Sequence, residues 1–296
     1  MSELLQLVAN GLVTGSILAI AAVGVSLVYG ILRIVNFAHG EYLVFGAYVA
    51  LGVNVGWGGD IVAAALAAVV LTAALAAGLE FALWRPLRRR HAGLFSVFIA
   101  AIGLALVLRH VLFLVADARP RRYDVDVFQV YELGPVRLSQ SQLVAIAIAA
   151  AAIVLVGLML ARTGLGRAMR ALSDNSSLAA VAGIDVDRTV VLTWIVAGGL
   201  AGIAGLLQGL VLNAFTPNFG FTLLLPIFAA VVLGGIGSAY GALVGGLVLG
   251  LVTEVSTWSA LAGGAPPVYK PVVAFGVLIL VLLVRPQGVF GKARVL

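Results

Sequence analysis

Residues 162–188 read RTGLGRAMRALSDNSSLAAVAGIDVDR, a polar stretch between two apolar ones, Ser141–Ala161 and Thr189–Leu212. Each flank is long enough to cross a bilayer, which takes ~20 apolar residues. Within the polar stretch, Asn175 and Ser176 supply a helix start, an Ala-rich turn follows, and Gly183 supplies a stop. A chain that sets a small capped helix between two membrane spans presents a surface to something in the water. The competing reading is an ordinary basic loop; the cap, the alanine face and the terminating glycine favour docking.

The rest of the chain supports a membrane setting. Hydrophobic residues make up 62% of the 296 and charged residues 10%, more apolar surface than a water-soluble core of this size can hide. The expected architecture is an all-α polytopic membrane protein of eight or nine spans, one transmembrane domain over residues 1–296, in the cell membrane. The spans are read as Gln6–Leu32, Asn36–Val55, Ile61–Trp84, Leu94–Ala116, Ser141–Ala161, Thr189–Leu212, Phe221–Ile236, Gly241–Trp258 and Pro271–Val284. Glycine spacing predicts broken helices near 29–41 and 234–241.

The net charge of +6 does not point to nucleic acid, because the basic residues sit in short loops rather than in a basic and aromatic stripe. Twelve of them share one side: Arg33, Arg85, Arg88, Arg89, Arg90, Arg162, Arg167, Arg170, Arg188, Arg285, Lys292 and Arg294. The other side has Arg119, Arg121, Arg122, Arg137 and Lys270, diluted by Asp117, Asp124, Asp126 and Glu132. The positive-inside rule makes the first side cytoplasmic. The segment 162–188 is then cytoplasmic and the loop 116–140 extracytoplasmic. Nine spans place the N-terminus outside and eight place it inside. Cysteine is absent, which excludes disulfides and thiolate chemistry, and the first residues do not read as a cleaved signal.

Polar groups inside the apolar stretches are the candidate path residues. Asn36, His39 and Glu41 fall within six residues at the edge of a span, with His39 and Glu41 expected on different helix faces. Two readings stay level: a turn whose polar groups satisfy freed backbone, or a lining of the substrate path. One His and one Glu are too few for a metal site. Glycine pairs at four-residue spacing, such as Gly11/Gly15 and Gly198/Gly202, read as helix-packing stripes. Gly234, Gly235 and Gly237 are too dense for a stable helix and read as backbone unwound toward a ligand. Glu254 and Arg109 each cost roughly 2.5–3.5 kcal/mol at a helix centre, so interior pairing is expected for Glu254 and snorkelling for Arg109. Glu80 is read as an interfacial pair with Arg85. No G-x-x-x-x-G-K-[ST] run and no convergent catalytic set is present.

Several of these segments together resemble the permease family of branched-chain amino acid ABC importers, the LivH-like family. The resemblance is carried by Gly15-Ser16, Leu27-Val28-Tyr29-Gly30, Asn36-Phe37-Ala38-His39-Gly40-Glu41 and Arg85-Pro86-Leu87. It continues through Gly166-Arg167-Ala168, Ala182-Gly183-Ile184, Arg188, Ala230–Ser238 and the C-terminal run from Lys270 to Gly291. It implies transport by alternating access, with no cofactor on this chain and ATP bound by partner subunits. The implied partners are two cytoplasmic ATPase subunits, a homologous second permease, an extracytoplasmic substrate-binding protein and the lipid bilayer. By position it makes Gly166, Arg167, Arg170, Asn175, Ala179, Gly183 and Arg188 the ATPase-coupling residues. Urea and short amides are alternative cargo within such families. A stand-alone secondary transporter, with Glu41, His39 and Glu254 as coupling groups, is the rival class.

Overall fold

The computed structural model describes residues 2–125, 129–260, 266–285 and 287–290. Asp126, Lys292 and Arg294 of the charge tally, and Gly291 at the end of the C-terminal run, lie outside the described residues. Twelve α-helices occur among those described: α1 (Ser2–Leu32), α2 (His39–Leu51), α3 (Ile61–Leu79), α4 (Arg85–Arg89), α5 (Leu94–Ala116) and α6 (Gln140–Arg162), then α7 (Gly164–Asp174), α8 (Ser176–Val181), α9 (Val186–Leu212), α10 (Phe219–Gly234), α11 (Ala239–Val255) and α12 (Lys270–Val284). One hairpin, β1 (Val130–Leu133) with β2 (Val136–Ser139), interrupts the 116–140 loop; nothing in the apolar pattern announced it.

Among the described residues, six helical stretches are long and apolar enough to cross a membrane: α1, Ile61–Arg89, α5, α6, α9 and Pro267–Val284. The helices α2, α10 and α11 are shorter. Together these make nine segments among the described residues, the larger of the two expected numbers. Their ends sort onto two sides. Arg33 donates to the Ser173 carbonyl at 3.3 Å, and Arg85 pairs with Asp187, so the ends of α1 and α4 meet α7 and the start of α9. On the opposite side Gln6 exchanges two hydrogen bonds with the Arg137 backbone, Arg121 bridges Phe215, and Ser259 bonds Glu3. The nine segments therefore alternate in direction, and α1 starts on the side of the hairpin.

The first expected break falls inside the 29–41 region, and the second takes another form. The first helix runs intact through Tyr29 and Gly30; the interruption comes at residues 33–38, where Arg33 takes φ 56°. The Asn36 side chain accepts from Ala38 N at 3.1 Å and delays the next helix to His39. The His39 ring reaches the Ala21 carbonyl, 3.1 Å away. Ala21 lies ~17 Å along α1 from Leu32 at 1.5 Å per residue, so the chain re-enters the bundle before α2 begins. The second region, 234–241, is a tight turn joining two antiparallel helices, not a break inside one. Gly235 and Gly237 there have φ 106° and 87°, a region only glycine enters at little cost.

An inverted repeat organises the core. His39 N bonds Asn36 O and Phe219 N bonds Thr216 O, both at 3.2 Å, so α10 starts with the same turn as α2. One helix start is reached from each side of the bundle, and they meet at Gly40 and Gly220, whose backbones touch. The rest of the chain follows the same exchange: α1 packs on α11 as α9 packs on α3. Residue pairs such as Gly15 with Leu247 and Gly198 with Ala73 bring these backbones close, with a built Cβ 3.0 Å from the facing Cα. The four-residue glycine spacing is thus a packing device. Apolar all round, α1 and α9 are mostly buried at the centre, while α3, α5, α6 and α12 lie at the periphery.

Candidate coupling segment and substrate path

The 162–188 segment forms two helices where the sequence suggested one. Thr163 caps α7, its Oγ1 accepting from Gly166 N at 3.1 Å, and α7 buries Gly166, Met169 and Leu172 at i, i+3 and i+6. A Cβ on Gly166 would strike the Leu160 carbonyl, and Arg170 donates to that same carbonyl. Asn175 Oδ1 accepts from Leu178 N at 3.0 Å and opens α8. Gly183, at φ 86°, closes it: Gly183 N bonds Ala180 O and Ile184 N bonds Ala179 O, the paired bonds of a Schellman stop. Asp185 then caps α9 through Arg188 N at 2.9 Å.

Of the seven residues singled out here, Gly166 and Ala179 are buried in the chain's own packing. Asn175 and Gly183 shape α8, Arg170 ties α7 to α6, and Arg167 and Arg188 are exposed. The sequence reading missed Leu178 and Val181. They sit at i and i+3 on α8, 66% and 87% exposed, on the face away from Ala179. Large apolar groups on the Arg-rich, aqueous side were visible in the sequence; their outward direction was not. Asn175→Ala removes the α8 cap at a cost of ~1 kcal/mol. It should raise hydrogen exchange over residues 176–181, while Asn175→Asp keeps the protection.

The base of α9 is also tied to α4. Asp187 pairs with Arg85 and lies 3.6 Å from Arg89. Glu80 takes both arms of Arg88, with Nη1 at 2.9 Å, rather than the expected Arg85. The cause is a π-helical turn over Glu80–Trp84, which rotates the following residues out of α-helical register. A cavity of about 680 Å³ opens on this side, lined among others by Tyr29, Arg33, Arg170, Ser173, Gly237 and Gln287.

The path candidates do not converge. His39 faces α1, with Nε2 donating to the Ala21 carbonyl, whereas Glu41 faces α5. Both are 1% exposed, as is Asn36, whose Nδ2 has no partner among the described residues. Gly234 packs against Gly241; the free Leu233 and Gly234 carbonyls accept from Val289 N and Phe290 N, so the chain itself uses that backbone. Glu254 has the expected interior partners, accepting from Lys270 Nζ at 2.7 Å and Thr14 Oγ1 at 3.3 Å. It lies near the far end of α11 from Gly237, ~25 Å away along the helix.

Arg109 corrects the sequence reading. It does not snorkel: its Nε and Nη2 reach Glu41 Oε1 at 3.0 and 2.6 Å, and its guanidinium lies 4.4 Å from the Phe221 ring centre. The available signal was one arginine and one carboxylate in two different apolar stretches. Outside the spans, Tyr123 folds under the loop and donates to the Ala47 carbonyl at 3.0 Å, and burial pushes its phenol far above the ordinary range.

Comparison with known proteins matches residues 7–282 to the family described as branched-chain amino acid transport system / permease component. The permease BraD of Pseudomonas aeruginosa, of a high-affinity branched-chain amino acid system, is 34% identical over 98% of this chain and 97% of its own. The corresponding LivH of Escherichia coli is 33% identical over 98% and 96%. The ribose import permease RbsC of Escherichia coli is 32% identical, over 43% of this chain and 40% of its own. No solved structure matches the chain. With the two long matches spanning the re-entrant helices and the 162–188 segment alike, this chain belongs to the branched-chain amino acid transport permease family.

Proposed function

We propose that this chain is a membrane-spanning half of an ATP-driven importer of branched-chain amino acids, working by alternating access. The observation that supports this best is α8, capped at both ends and carrying Leu178 and Val181 outward on the Arg-rich side. Such a pair suits a groove on a soluble subunit, since apolar side chains gain little by facing water. The partners are two ATPase subunits beneath α7 and α8, a second permease and an external binding protein. ATP sits on the ATPases; this chain carries no phosphate-binding loop and no cofactor. Residues 1–296 act as one domain.

In this mechanism ATP binding draws the α7–α8 elements of the two permeases together. The ties from Asp187 to Arg85 and from Arg33 to Ser173 pass that motion to α4 and α1. The cavity beside Arg170 and Gly237 is the cytoplasmic vestibule through which cargo leaves. Substrate biases the cycle only through unequal affinity for its two states.

Reconstitution tests the reading. The chain assembled with its ATPases, second permease and binding protein should accumulate leucine in vesicles only when ATP is supplied on the α8 side. Uphill uptake by this chain alone, driven by a proton or sodium gradient, would assign it to the secondary transporters instead.

A further inference from the structure

We infer that Glu41 and Arg109 recognise the charged head of a zwitterionic amino acid, Glu41 taking the ammonium and Arg109 the carboxylate. This deepens the importer reading and rests on it. The ion pair is lopsided. Both Arg109 nitrogens, Nε and Nη2, converge on Glu41 Oε1, while Oε2 is buried without a partner among the described residues. A pair serving only to hold α5 would gain more by engaging both oxygens, as bidentate arginine–carboxylate pairs do. A buried carboxylate oxygen left unsatisfied is costly, and an ammonium group satisfies it.

The surroundings fit the same ligand. The two groups lie beside the Gly40–Gly220 contact, where α2 and α10 both begin, and the Phe221 ring flanks the guanidinium. Arg109 keeps 14% of its side chain exposed; Leu106 and Ile102, one and two turns before it on α5, and Phe221 and Leu225 on α10 are exposed apolar groups. An aliphatic side chain attached to the zwitterion would rest on those groups. In the ligand-free form each residue neutralises the other, so neither charge stands alone in an apolar layer. An arriving zwitterion exchanges one ion pair for two and leaves no net charge behind. An uncharged amide, urea or sugar offers no such exchange.

The test uses the full complex in vesicles and radiolabelled leucine. E41Q and R109Q should each raise the half-saturating concentration for uptake by about 10- to 100-fold, the effect of losing one charge-assisted contact. The double variant E41Q/R109M restores a neutral, packed pair. If the pair were only a tether, the double variant would carry leucine like the wild type, because neutral replacement of a buried pair is tolerated. That result overturns the inference; a half-saturating concentration that stays raised in the assembled double variant supports it. Should the neutral variants not assemble, R109K keeps the charge and loses the fork. It should assemble with a half-saturating concentration raised about tenfold and its maximal rate kept, and a wild-type value in R109K would overturn the assignment. A wild-type complex that takes up no leucine refutes the importer reading itself, a separate outcome.

Discussion

Changing Leu178 and Val181 together to aspartate should abolish ATP-driven uptake and release the proposed ATPase subunits, while the membrane bundle stays folded. Both side chains point into water in the isolated chain, so the exchange removes no internal packing. Burying each in a partner's groove is worth ~1.5–3 kcal/mol, so losing two weakens docking by a hundredfold or more. Two carboxylates forced into the same groove add a desolvation cost. Co-purification in mild detergent measures the loss directly. Thermal melting of the variant, unchanged from the parent, shows that the effect lies at the interface. A proline at Ala179, whose N–H bonds the Asn175 carbonyl, should act in the same direction by breaking α8, but would not separate helix from contact. Full transport by the double aspartate variant would remove α8 as the docking element.

Gly220→Val has the opposite character: it attacks the fold and spares the docking surface. Its Cβ would meet the Gly40 carbonyl and lie 2.5 Å from Val44 Cγ2, both on α2. Gly40→Val meets Gly220 reciprocally, 3.0 Å from the carbonyl carbon and 3.5 Å from Leu224 Cβ. The obstacles are backbone atoms at the starts of two helices, which cannot rotate away. Overpacking of this kind costs ~3 kcal/mol, a fall of roughly 6–12 °C in melting temperature. Gly276→Ala on α12, where an added Cβ meets nothing within 4 Å, should be neutral or stabilise the helix by ~0.5–1 kcal/mol. Equal melting of the Gly220 and Gly276 variants would show that the crossing does not hold the bundle.

Much of this architecture is a direct consequence of the order of residues. The apolar pattern marks eight or nine segments, because a backbone in lipid must satisfy its own hydrogen bonds within a helix. The arginine distribution separates their two sides, and the α8 cap and stop follow from Asn175 and Gly183, whose backbone preferences are local. Glycine spacing likewise announces close packing, though not the partner.

Tertiary structure alone decided where the polar groups point. Glu41 and Arg109 are 68 residues apart, and no periodicity links α2 to α5. The pairing of Glu80 with Arg88 rather than Arg85 depends on a π-turn that no residue type dictates. Gly40 and Gly220 meet only because two re-entrant stretches, one from each side, end at the same depth. Periodicity along a helix reports which residues share a face. Which other helix covers that face is set by the packing of the whole bundle, and that is where the candidate recognition site arises.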